Sequence, residues 1–383
     1  MADYTIFLRD SSLRRVAVIE DYADLAILLR FNQPGGFDFT APAASLAGLL
    51  TPGAGIVIER DGVPFLSGPI DAKRRTWARD ADHLLLSGPD DTQAVADRVA
   101  LPVPAAAPSP AGNAYAAAAY DVRSGPAETV MRAYVNANAG PGARSERAVP
   151  GLRLAADQGR GGTITGRARF DALDELLRGL ALAGGDLGFR VVQATDTAAL
   201  EFQVYPTRDL TATTVFSAEY GNLRDYDYRE GVPDGTYVYV LGGGDLTART
   251  VIEGGDAAAI VAWRRREQAV DARNTTDPGE LAAQRDKGLM ERRADTGLSV
   301  TPLDSPGLAF GVEYGLGDRV TVVVDGLPIR EVVREVRITL DSQGGETIVP
   351  SVLSPQGLAP TVDRLYATIA KLGERLGRLE RTK

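Results

Sequence analysis

Two segments of this chain share the sequence pattern of a tight β-hairpin, at a constant offset of 264 residues. Residues 56–65 and 320–329 each place a β-rich run before an Asp-Gly pair and a short run containing proline after it. The pairs are Asp61-Gly62 and Asp325-Gly326, and Asp-Gly supplies the positive φ angles that a two-residue turn needs. The pattern predicts two antiparallel hairpins in a strand-rich fold.

The two hairpins resemble each other outside the turn as well, since Gly53 and Gly317 stand at equivalent positions before the first strand. Two similar β modules in one chain explain this repetition. Convergence is the alternative, because Asp-Gly-x-Pro is a common way to turn a hairpin. If the repetition is a duplication, a trimer presents six similar modules around its axis and can join threefold to sixfold symmetry.

The chain has strand-rich ends and a mixed middle, and its 383 residues are enough for two or three domains. The predicted fold is α+β and mainly β, with two barrel-like β modules, inserted α/β domains and a C-terminal coiled-coil helix. The boundaries are residues 1–105 for the N-terminal β-barrel module, 106–123 for an Ala/Pro-rich linker, 124–230 for an α/β middle domain, 231–355 for a second β-barrel module with a helix, and 356–383 for the C-terminal helix.

Four further helices are expected inside these domains. The first runs from about Asp90 to Val99. Ser124 is expected to cap the second, and an apolar stripe from Phe170 to Leu180 predicts a third that ends at Gly184-Gly185. The fourth is expected to begin at Asp277-Pro278-Gly279-Glu280, where Asp is the cap and Pro takes the first helical position.

The C-terminal segment carries the most specific pattern of the chain. Its apolar residues recur at spacings of three and four, which is the a/d seam of a short coiled coil. Because Gly373 and Gly377 each cost about 0.5–1 kcal/mol relative to Ala, the helix needs burial of this seam. An Arg at g and the following Glu at e can pair between parallel helices. The expected trimerisation residues are Val362, Leu365, Ile369, Leu372, Leu376, Leu379, Arg375 and Glu380.

Two alternatives stay open for this segment. An amphipathic helix can dock on its own globular body, although the narrow stripe without apolar e or g residues fits a coiled-coil seam better. The Val, Ile and Leu residues of the seam also do not separate a dimer from a trimer.

The composition excludes several classes of function. The absence of cysteine excludes disulfides, thiolate zinc sites and cysteine nucleophiles. His83 is the only histidine, which excludes a two-histidine metal site, and we expect it at the surface or at a sheet edge. The net charge of −9 disfavours non-specific binding to nucleic acid. We expect neither a signal peptide nor a membrane-spanning segment.

The remaining motifs are better explained by structure than by catalysis. Asp90-Asp91 offers two carboxylates, as a glycosidase needs, but at a helix start both are expected to be caps. Gly159–Gly162 and Gly242–Asp245 lack the Gly-Lys-Ser/Thr of a phosphate loop and are expected to be turns. Arg264-Arg265-Arg266 is interpreted as a solvated helix face without an aromatic platform. We therefore expect no catalytic residue, no metal and no cofactor.

Seven short motifs follow one another in an order that is informative. They are Leu8-Arg9-Asp10, Arg30-Phe31-Asn32-Gln33-Pro34-Gly35-Gly36-Phe37, Ile58-Glu59-Arg60-Asp61-Gly62, Phe65-Leu66-Ser67-Gly68, Gly125-Pro126-Ala127-Glu128-Thr129-Val130-Met131, Phe170-Asp171-Ala172-Leu173-Asp174-Glu175-Leu176 and Tyr314-Gly315-Leu316-Gly317-Asp318-Arg319-Val320. In this order they resemble the siphophage tail-tip hub proteins, especially those of actinobacterial phages, over roughly residues 4–355.

This resemblance implies the baseplate hub fold that is shared with contractile tails, in which two β-barrel modules form a pseudo-hexameric ring in a homotrimer. It implies a non-enzymatic role: adapting the sixfold tail tube to a threefold tip and surrounding the DNA channel. The implied partners are the distal tail protein or tail tube above and a tip fibre or spike protein below, with DNA only in transit. The implied location is the distal end of the tail in the virion, after assembly in the host cytoplasm.

Two other functions stay open. A carbohydrate- or receptor-binding tail module would use Trp77, Trp263 and the tyrosines as a sugar platform. A cell-wall hydrolase would depend on Asp90 or Asp91.

Overall fold

A computed structural model of the chain describes residues 2–79, 81–107, 109, 112–195, 197–273, 275–292, 296–303, 308–340 and 345–353. Strands predominate, which confirms the mainly β prediction, and within these described ranges they form six sheets. The coiled-coil seam expected from Val362 to Glu380 lies outside the described residues and stays a prediction.

The strands are β1 (Tyr4–Arg9), β2 (Arg15–Ile19), β3 (Asp24–Arg30), β4 (Gly36–Pro42), β5 (Gly55–Arg60), β6 (Val63–Pro69), β7 (Ala72–Ala78), β8 (Ala81–Pro89), β9 (Val99–Ala100), β10 (Asp121–Pro126), β11 (Leu152–Leu154), β12 (Thr163–Ala168), β13 (Asp171–Ala172), β14 (Leu187–Gln193), β15 (Leu200–Pro206), β16 (Val215–Phe216), β17 (Leu223–Glu230), β18 (Tyr237–Leu241), β19 (Val251–Gly255), β20 (Glu267–Asp271), β21 (Thr296–Pro302), β22 (Arg319–Val324), β23 (Leu327–Leu340) and β24 (Glu346–Leu353). The α-helices are α1 (Gln93–Ala96), α2 (Ala127–Asn138), α3 (Leu173–Ala183), α4 (Ala257–Trp263) and α5 (Pro278–Arg292).

Both predicted hairpins are confirmed, the first joining β5 to β6 and the second joining β22 to β23. The φ angles are 53° and 75° at Asp61 and Gly62, and 50° and 77° at Asp325 and Gly326. Positive φ at both central residues gives a turn whose twist matches that of the flanking strands. The repetition seen in the sequence is therefore present in the backbone.

The equivalent glycines before the hairpins also share a conformation, with φ of 80° at Gly53 and 92° at Gly317. An added Cβ would lie 2.9 Å from the Cβ of Ser11 in the first case and 2.4 Å from a ring carbon of Phe31 in the second. Both positions therefore require glycine, because the backbone conformation and the available space each exclude a side chain.

The two hairpins lie in different sheets. β5 and β6 end a four-stranded antiparallel sheet of order β2-β1-β5-β6, whereas β22 has the parallel strand β16 on its other side. β23 is 14 residues long. Its first half pairs with β22 and its second half pairs with β3, where Leu340 stands opposite Leu25. The second hairpin therefore extends a sheet that is built from N-terminal strands.

None of the sheets in the described part of the chain closes on itself, so separate barrel-like modules are not confirmed. The largest sheet has ten strands, of which eight follow the order β17-β21-β24-β23-β3-β4-β8-β7. Among the described residues, those up to Asp225 and those from Val300 to Ser351 form one compact unit, and those from Tyr226 to Ser299 form another. Residues 300–351 were expected beside residues 231–299, but β23 joins them to the N-terminal strands through β3.

In the first unit, α2 and α3 share a core with the three-stranded sheet of order β11-β15-β14. Leu173 and Leu177 of the predicted apolar stripe are fully buried with Met131 and Tyr134 of α2. Burying a side chain of this size contributes about 1.5–3 kcal/mol, so the stripe holds the helices on the sheet.

Three details of the helix predictions are wrong. Ser124 does not cap α2, because it lies in β10 and its hydroxyl bonds that of Thr165 at 2.8 Å. Phe170 precedes α3 with φ of 63° and is half exposed. The helix expected over residues 90–99 is the single turn α1, since Val99 enters β9 and pairs with β13.

The second unit contains the three-stranded sheet of order β19-β18-β20 and the helix α5. The predicted start of this helix is confirmed, since α5 begins at Pro278. Leu281 of α5 packs with Val238 and Val240 of β18, and all three are fully buried. This contact is the core of the unit.

Candidate functional site

Asp91 forms a buried ion pair that joins β1 to the turn between β8 and α1. Arg9 of β1 donates to both carboxylate oxygens, at 2.8 and 2.6 Å, and the two residues are 4% and 3% exposed. The hydroxyl of Ser67 in β6 also donates to Asp91, and Oε1 of Gln193 in β14 accepts from Arg9 at 3.0 Å. The expectation that Asp91 is a helix cap is wrong, because its carboxylate is used by Arg9 and Ser67.

Asp90 holds the neighbouring loop. Its carboxylate accepts from the backbone amides of Gly35 at 2.8 Å and Thr92 at 2.9 Å. Thr92 precedes α1, and no side chain caps this helix, so the predicted capping role of Asp90 is wrong: its carboxylate holds the turn before the helix. Burial raises the pKa of Asp90 to about 6, while the two amide bonds act in the opposite direction. Both carboxylates of the Asp90-Asp91 pair are therefore hydrogen-bonded within the fold.

The outer edge of β14 is hydrogen-bonded by side chains where a neighbouring strand would otherwise pair. The amides of three alternate residues on this edge donate to side-chain oxygens from the turn between β3 and β4, from β6 and from the residue before α1, and one carbonyl accepts from an Asn side-chain amide. The pairs are Phe189 N to Asn32 Oδ1 at 2.7 Å, Val191 N to Thr92 Oγ1 at 3.2 Å, Gln193 N to Ser67 Oγ at 2.7 Å, and Asn32 Nδ2 to the oxygen of Leu187 at 2.9 Å. We call these residues, with Arg9 and Asp91, the polar junction.

The polar junction fixes the helix-bearing layer on the hairpin sheet. Every one of its side chains is at most 6% exposed, so each contact forms out of water, where an unmade hydrogen bond costs about 1–3 kcal/mol. Of these residues only Asp91 was considered from the sequence for a chemical role, but Arg9, Asn32 and Ser67 all lie in the motifs that carry the resemblance. Those motifs therefore hold the residues that set the position of one layer on another.

A second cluster surrounds Arg60 at the end of β5. Its guanidinium carbon lies 5.8, 5.6 and 5.8 Å from the ring centres of Tyr4, Phe65 and Phe310. Arg60 also donates to the Phe310 carbonyl at 2.9 Å, and the Tyr4 hydroxyl donates to Glu346 at 2.7 Å. Burial and this hydrogen bond raise the pKa of Tyr4 above its usual range. A cation among aromatic faces is favourable, so the cluster ties β24 to the first hairpin.

An open cavity of about 820 Å³ lies in the first unit, lined mainly by β6, β14, β15 and residues 310–318. Its lining includes five arginines, each of which donates to a protein acceptor: Arg30 to Glu335, Arg60 to the Phe310 carbonyl, Arg160 to Glu128, Arg190 to Gln203 and Arg208 to Asp318. The hydrogen bonds of these arginines connect the segments that line the cavity.

The strand β7 is exposed over its whole length. All seven residues are exposed, and β7 is the last strand of its sheet among the described residues, paired only with β8. Its sequence includes Lys73, Arg74 and Arg75, and Trp77 is 72% exposed. Arg75 forms a bidentate pair with Asp82 of β8, at 2.8 and 2.6 Å. β7 therefore presents a basic edge with an aromatic residue.

The other residues that were considered lie apart from one another. His83 is half-buried in β8, one strand in from the edge of the sheet, and Trp77 and Trp263 belong to different units. The interpretation of Arg264-Arg265-Arg266 as a helix face is wrong, because α4 ends at Trp263. Arg265 instead lies 3.5 Å from the centre of the Tyr237 ring.

The glycine-rich stretch 159–162, expected to be a turn, is an irregular segment that lies against the start of α2. The carbonyls of Arg160 and Gly162 accept from the amides of Glu128 and Ala127, which are the first amides of that helix. The fully buried carboxylate of Glu128 accepts in turn from Arg160 at 3.1 Å. The first two amides of α2, which have no acceptor within the helix, are therefore hydrogen-bonded by carbonyls of this stretch.

Among the described residues, no group of three or more His, Asp or Glu side chains is placed to bind a metal ion. None of the described helices has both the length and the hydropathy that crossing a bilayer requires.

Three solved structures are similar to this fold at low sequence identity. The 43 kDa tail protein of prophage MuSo2 from Shewanella oneidensis is 14% identical, with 93% of this chain and 99% of that chain aligned and a TM-score of 0.58. A tail protein from Neisseria meningitidis MC58 is 16% identical, with 92% of this chain and 99% of that chain aligned and a TM-score of 0.54. The prophage tail protein gp18 from Listeria monocytogenes EGD-e is 11% identical, with 97% of this chain and 99% of that chain aligned and a TM-score of 0.53. No curated protein matches the sequence.

A family profile matches nearly the whole described chain. The profile is that of the siphovirus ReqiPepy6 Gp37-like proteins, and it covers residues 5–352, which include the polar junction and both hairpins. The chain therefore belongs to the siphovirus ReqiPepy6 Gp37-like family, and it has the fold of phage tail proteins.

Proposed function

We propose that this protein is the structural hub of a siphophage tail tip. In this proposal three copies form a ring that adapts the sixfold tail tube to a threefold tip and surrounds the DNA channel. The hub acts by geometry and has no catalytic activity.

The observation that carries the proposal is the repeated hairpin. The turns at Asp61-Gly62 and Asp325-Gly326 agree to within a few degrees in φ, and glycines with positive φ precede both. Three copies of a chain with two equivalent hairpins present six of them, which is the match that a threefold-to-sixfold adaptor requires. In the proposed ring each hairpin belongs to one barrel-like module.

The C-terminal seam supplies the proposed threefold axis. Six apolar residues from Val362 to Leu379 at a and d positions, with Arg375 and Glu380 at g and e, favour association of parallel helices. The proposed partners are the distal tail protein or tail tube on one side and a tip fibre or spike on the other. The proposed location is the distal end of the virion tail, after assembly in the host cytoplasm.

The internal bonds of Asp90 and Asp91 support a role without catalysis. A hydrolase would need one of the two carboxylates to exchange protons with substrate, and Asp91 is instead neutralised by Arg9 at 2.6 Å. The basic edge of β7, with its exposed Trp77, is more consistent with a contact surface between proteins than with a sugar platform.

The mass of the full chain in solution tests the proposal. The monomer is 40.6 kDa, and we expect light scattering to give three times that value. Removing residues 356–383, or changing both Leu365 and Leu372 to Asp, should lower the mass. The control is Ala367→Asp, which places one such charge at an f position on the outer side of the predicted helix. A full-length protein that stays monomeric would contradict the trimer.

Labelling within the particle tests the location. An antibody or gold label on this protein should appear at the distal tip of the tail in negative-stain images. Label along the tube, or on the capsid, would contradict a hub at the tip.

A further inference from the structure

The strand β7 contributes no buried side chain to the core of its unit. Leu84 and Leu86 of the adjacent strand β8 are 8% and 0% exposed. The residues opposite them in β7 are Arg75 and Lys73, and all seven residues of β7 are exposed. Burial of apolar side chains is what usually offsets the entropy lost when a strand is ordered. The packing of the unit therefore does not account for β7.

The backbone of β7 forms a regular sheet edge. Its seven residues pair with β8 without a shift of register, from Ala72 opposite Ser87 to Ala78 opposite Ala81. In the described part of the chain β8 is its only neighbour, and β7 contains no proline. Bulges, prolines and covering segments are common ways to block a sheet edge. A regular edge without them accepts a further strand through backbone hydrogen bonds.

Three consecutive cations determine which strand this edge accepts. Lys73 and Arg75 lie on one face of the sheet with Trp77, and Arg74 lies on the other. Asp82 pairs with Arg75, whereas no acidic side chain among the described residues pairs with Lys73 or Arg74. Opposite charges stabilise a strand pair and like charges destabilise it. The added strand must therefore carry acidic side chains on both faces.

A second copy of this chain fits the edge less well. Two β7 strands side by side would place cations opposite cations. The sequence has no run of three acidic residues, and its runs of two are Glu20-Asp21, Asp90-Asp91 and Asp174-Glu175. Asp90 and Asp91 are hydrogen-bonded within the fold, and Asp174 and Glu175 belong to α3. The strand that matches all three cations therefore comes from another protein.

We propose that β7 is the docking edge for an acidic, extended segment of another tail protein, which adds to the sheet as an antiparallel strand. Both strand pairs next to this edge, β7 with β8 and β8 with β4, are antiparallel. Three acidic residues of the segment stand opposite Lys73, Arg74 and Arg75, and an apolar residue packs on Trp77, which is 72% exposed. That the partner is a tail protein rests on the proposed hub, whereas the charge pattern of the edge does not.

A synthetic peptide tests the edge in the full-length protein. The peptide Thr-Val-Thr-Glu-Glu-Glu-Val-Thr, paired antiparallel, places its glutamates opposite the three cations and its first valine opposite Trp77. Trp263→Phe leaves Trp77 as the only tryptophan, so its fluorescence reports binding. We expect a saturable change at low ionic strength. The same peptide with N-methylated glutamates keeps its charges but loses amide donors, and it should not bind.

Charge reversal identifies the contacts. Lys73→Glu should weaken peptide binding about two- to tenfold, because one attractive cross-strand pair becomes repulsive. A peptide with lysine in place of its third glutamate should recover this loss. Recovery by lysine at the first glutamate instead would overturn the antiparallel arrangement. Lys287→Glu is the matched control for the same change on α5, and it should leave binding unchanged.

Cross-linking in purified phage particles tests the source of the segment. The chain has only four lysines, of which Lys73 is the one in β7. Carbodiimide should join Lys73 to an acidic residue of a different tail protein. Links from Lys73 to this chain alone would overturn the proposal. The internal positive control is the link between Lys287 and Glu291, which lie 3.7 Å apart on α5.

The outcomes separate this edge from the proposed hub. A trimer that neither binds the peptide nor shows the link overturns the docking edge and leaves the hub standing. A monomeric protein that binds the peptide overturns the trimer and leaves the edge standing. Single-stranded DNA that displaces the peptide, and that binds the Lys73→Glu variant more weakly, would assign the edge to nucleic acid and overturn the proposal.

Discussion

The buried pair of Arg9 and Asp91 offers the sharpest test of how this fold is held together. We consider Asp91→Asn, which keeps the size of the side chain and removes its charge. Arg9 then stays 4% exposed with no compensating charge. Removing one partner of a buried ion pair costs about 3–5 kcal/mol, because the remaining charge keeps its desolvation penalty. We therefore expect the free energy of unfolding of this variant to fall by about 3–5 kcal/mol.

The exposed pair of Arg75 and Asp82 is a matched control. It has the same bidentate chemistry at 2.8 and 2.6 Å, but its side chains are 62% and 35% exposed. Asp82→Asn should therefore cost less than about 1 kcal/mol, since water stabilises the freed arginine. The two substitutions make the same chemical change in a bidentate Arg–Asp pair, one buried and one exposed.

Urea denaturation followed by circular dichroism measures both variants, and a double-mutant cycle with Arg9→Met isolates the pair. Arg9→Met with Asp91→Leu removes both charges, and we expect it to be clearly more stable than Asp91→Asn. The reasoning is refuted if Asp91→Asn costs no more than Asp82→Asn, or if the effects of Arg9→Met and Asp91→Asn are additive.

Two further predictions follow from groups in the first unit. Burial, aided by the charge of Asp24, raises the pKa of Asp38 to about 6 from its usual 3.8. Between these two values the folded state holds a proton that the unfolded state has released. This carboxyl therefore contributes stability at low pH, and that contribution is lost as the pH rises through 6. Asp38→Asn should therefore gain stability relative to the parent at pH 7 and show no such gain at pH 4; an equal difference in urea midpoint at both pH values would contradict this. Gly317→Ala should lower the thermal midpoint more than Gly326→Ala, because both glycines have positive φ but an added Cβ meets Phe31 at 2.4 Å only at Gly317; equal midpoints would show that the contact with Phe31 carries no cost.

The internal bonding of the polar junction bears on the proposed function. A hub that joins proteins above and below must hold its layers in one arrangement, and Asn32, Ser67, Thr92 and Gln193 do this with hydrogen bonds of defined geometry. Apolar packing alone would allow neighbouring layers to slide. We expect substitutions at these residues to impair tail assembly as strongly as they lower the stability of the protein.

Local signals in the sequence were sufficient for the elements whose geometry depends on a few neighbouring residues. Asp-Gly at residues 61–62 and 325–326 determined both turns, because positive φ at two successive positions is accessible to few residue pairs. Pro278 after an Asp determined the start of α5, and the apolar spacing from Leu173 to Leu180 determined the buried face of α3. The family resemblance also came from the sequence, through the order of short motifs.

Interactions between distant residues decided the rest. The pairing of β3 with β23 brings together Arg30 and Glu335, and no local pattern distinguishes it from a pairing within a separate module. Asp91 was expected to be a cap because it precedes a helical turn, but Arg9 reaches it from 82 residues away and determines its role. A turn depends on the conformational energy of its own residues, whereas sheet order and buried charge pairs depend on which surfaces the folded chain brings together, and only the tertiary structure decides that.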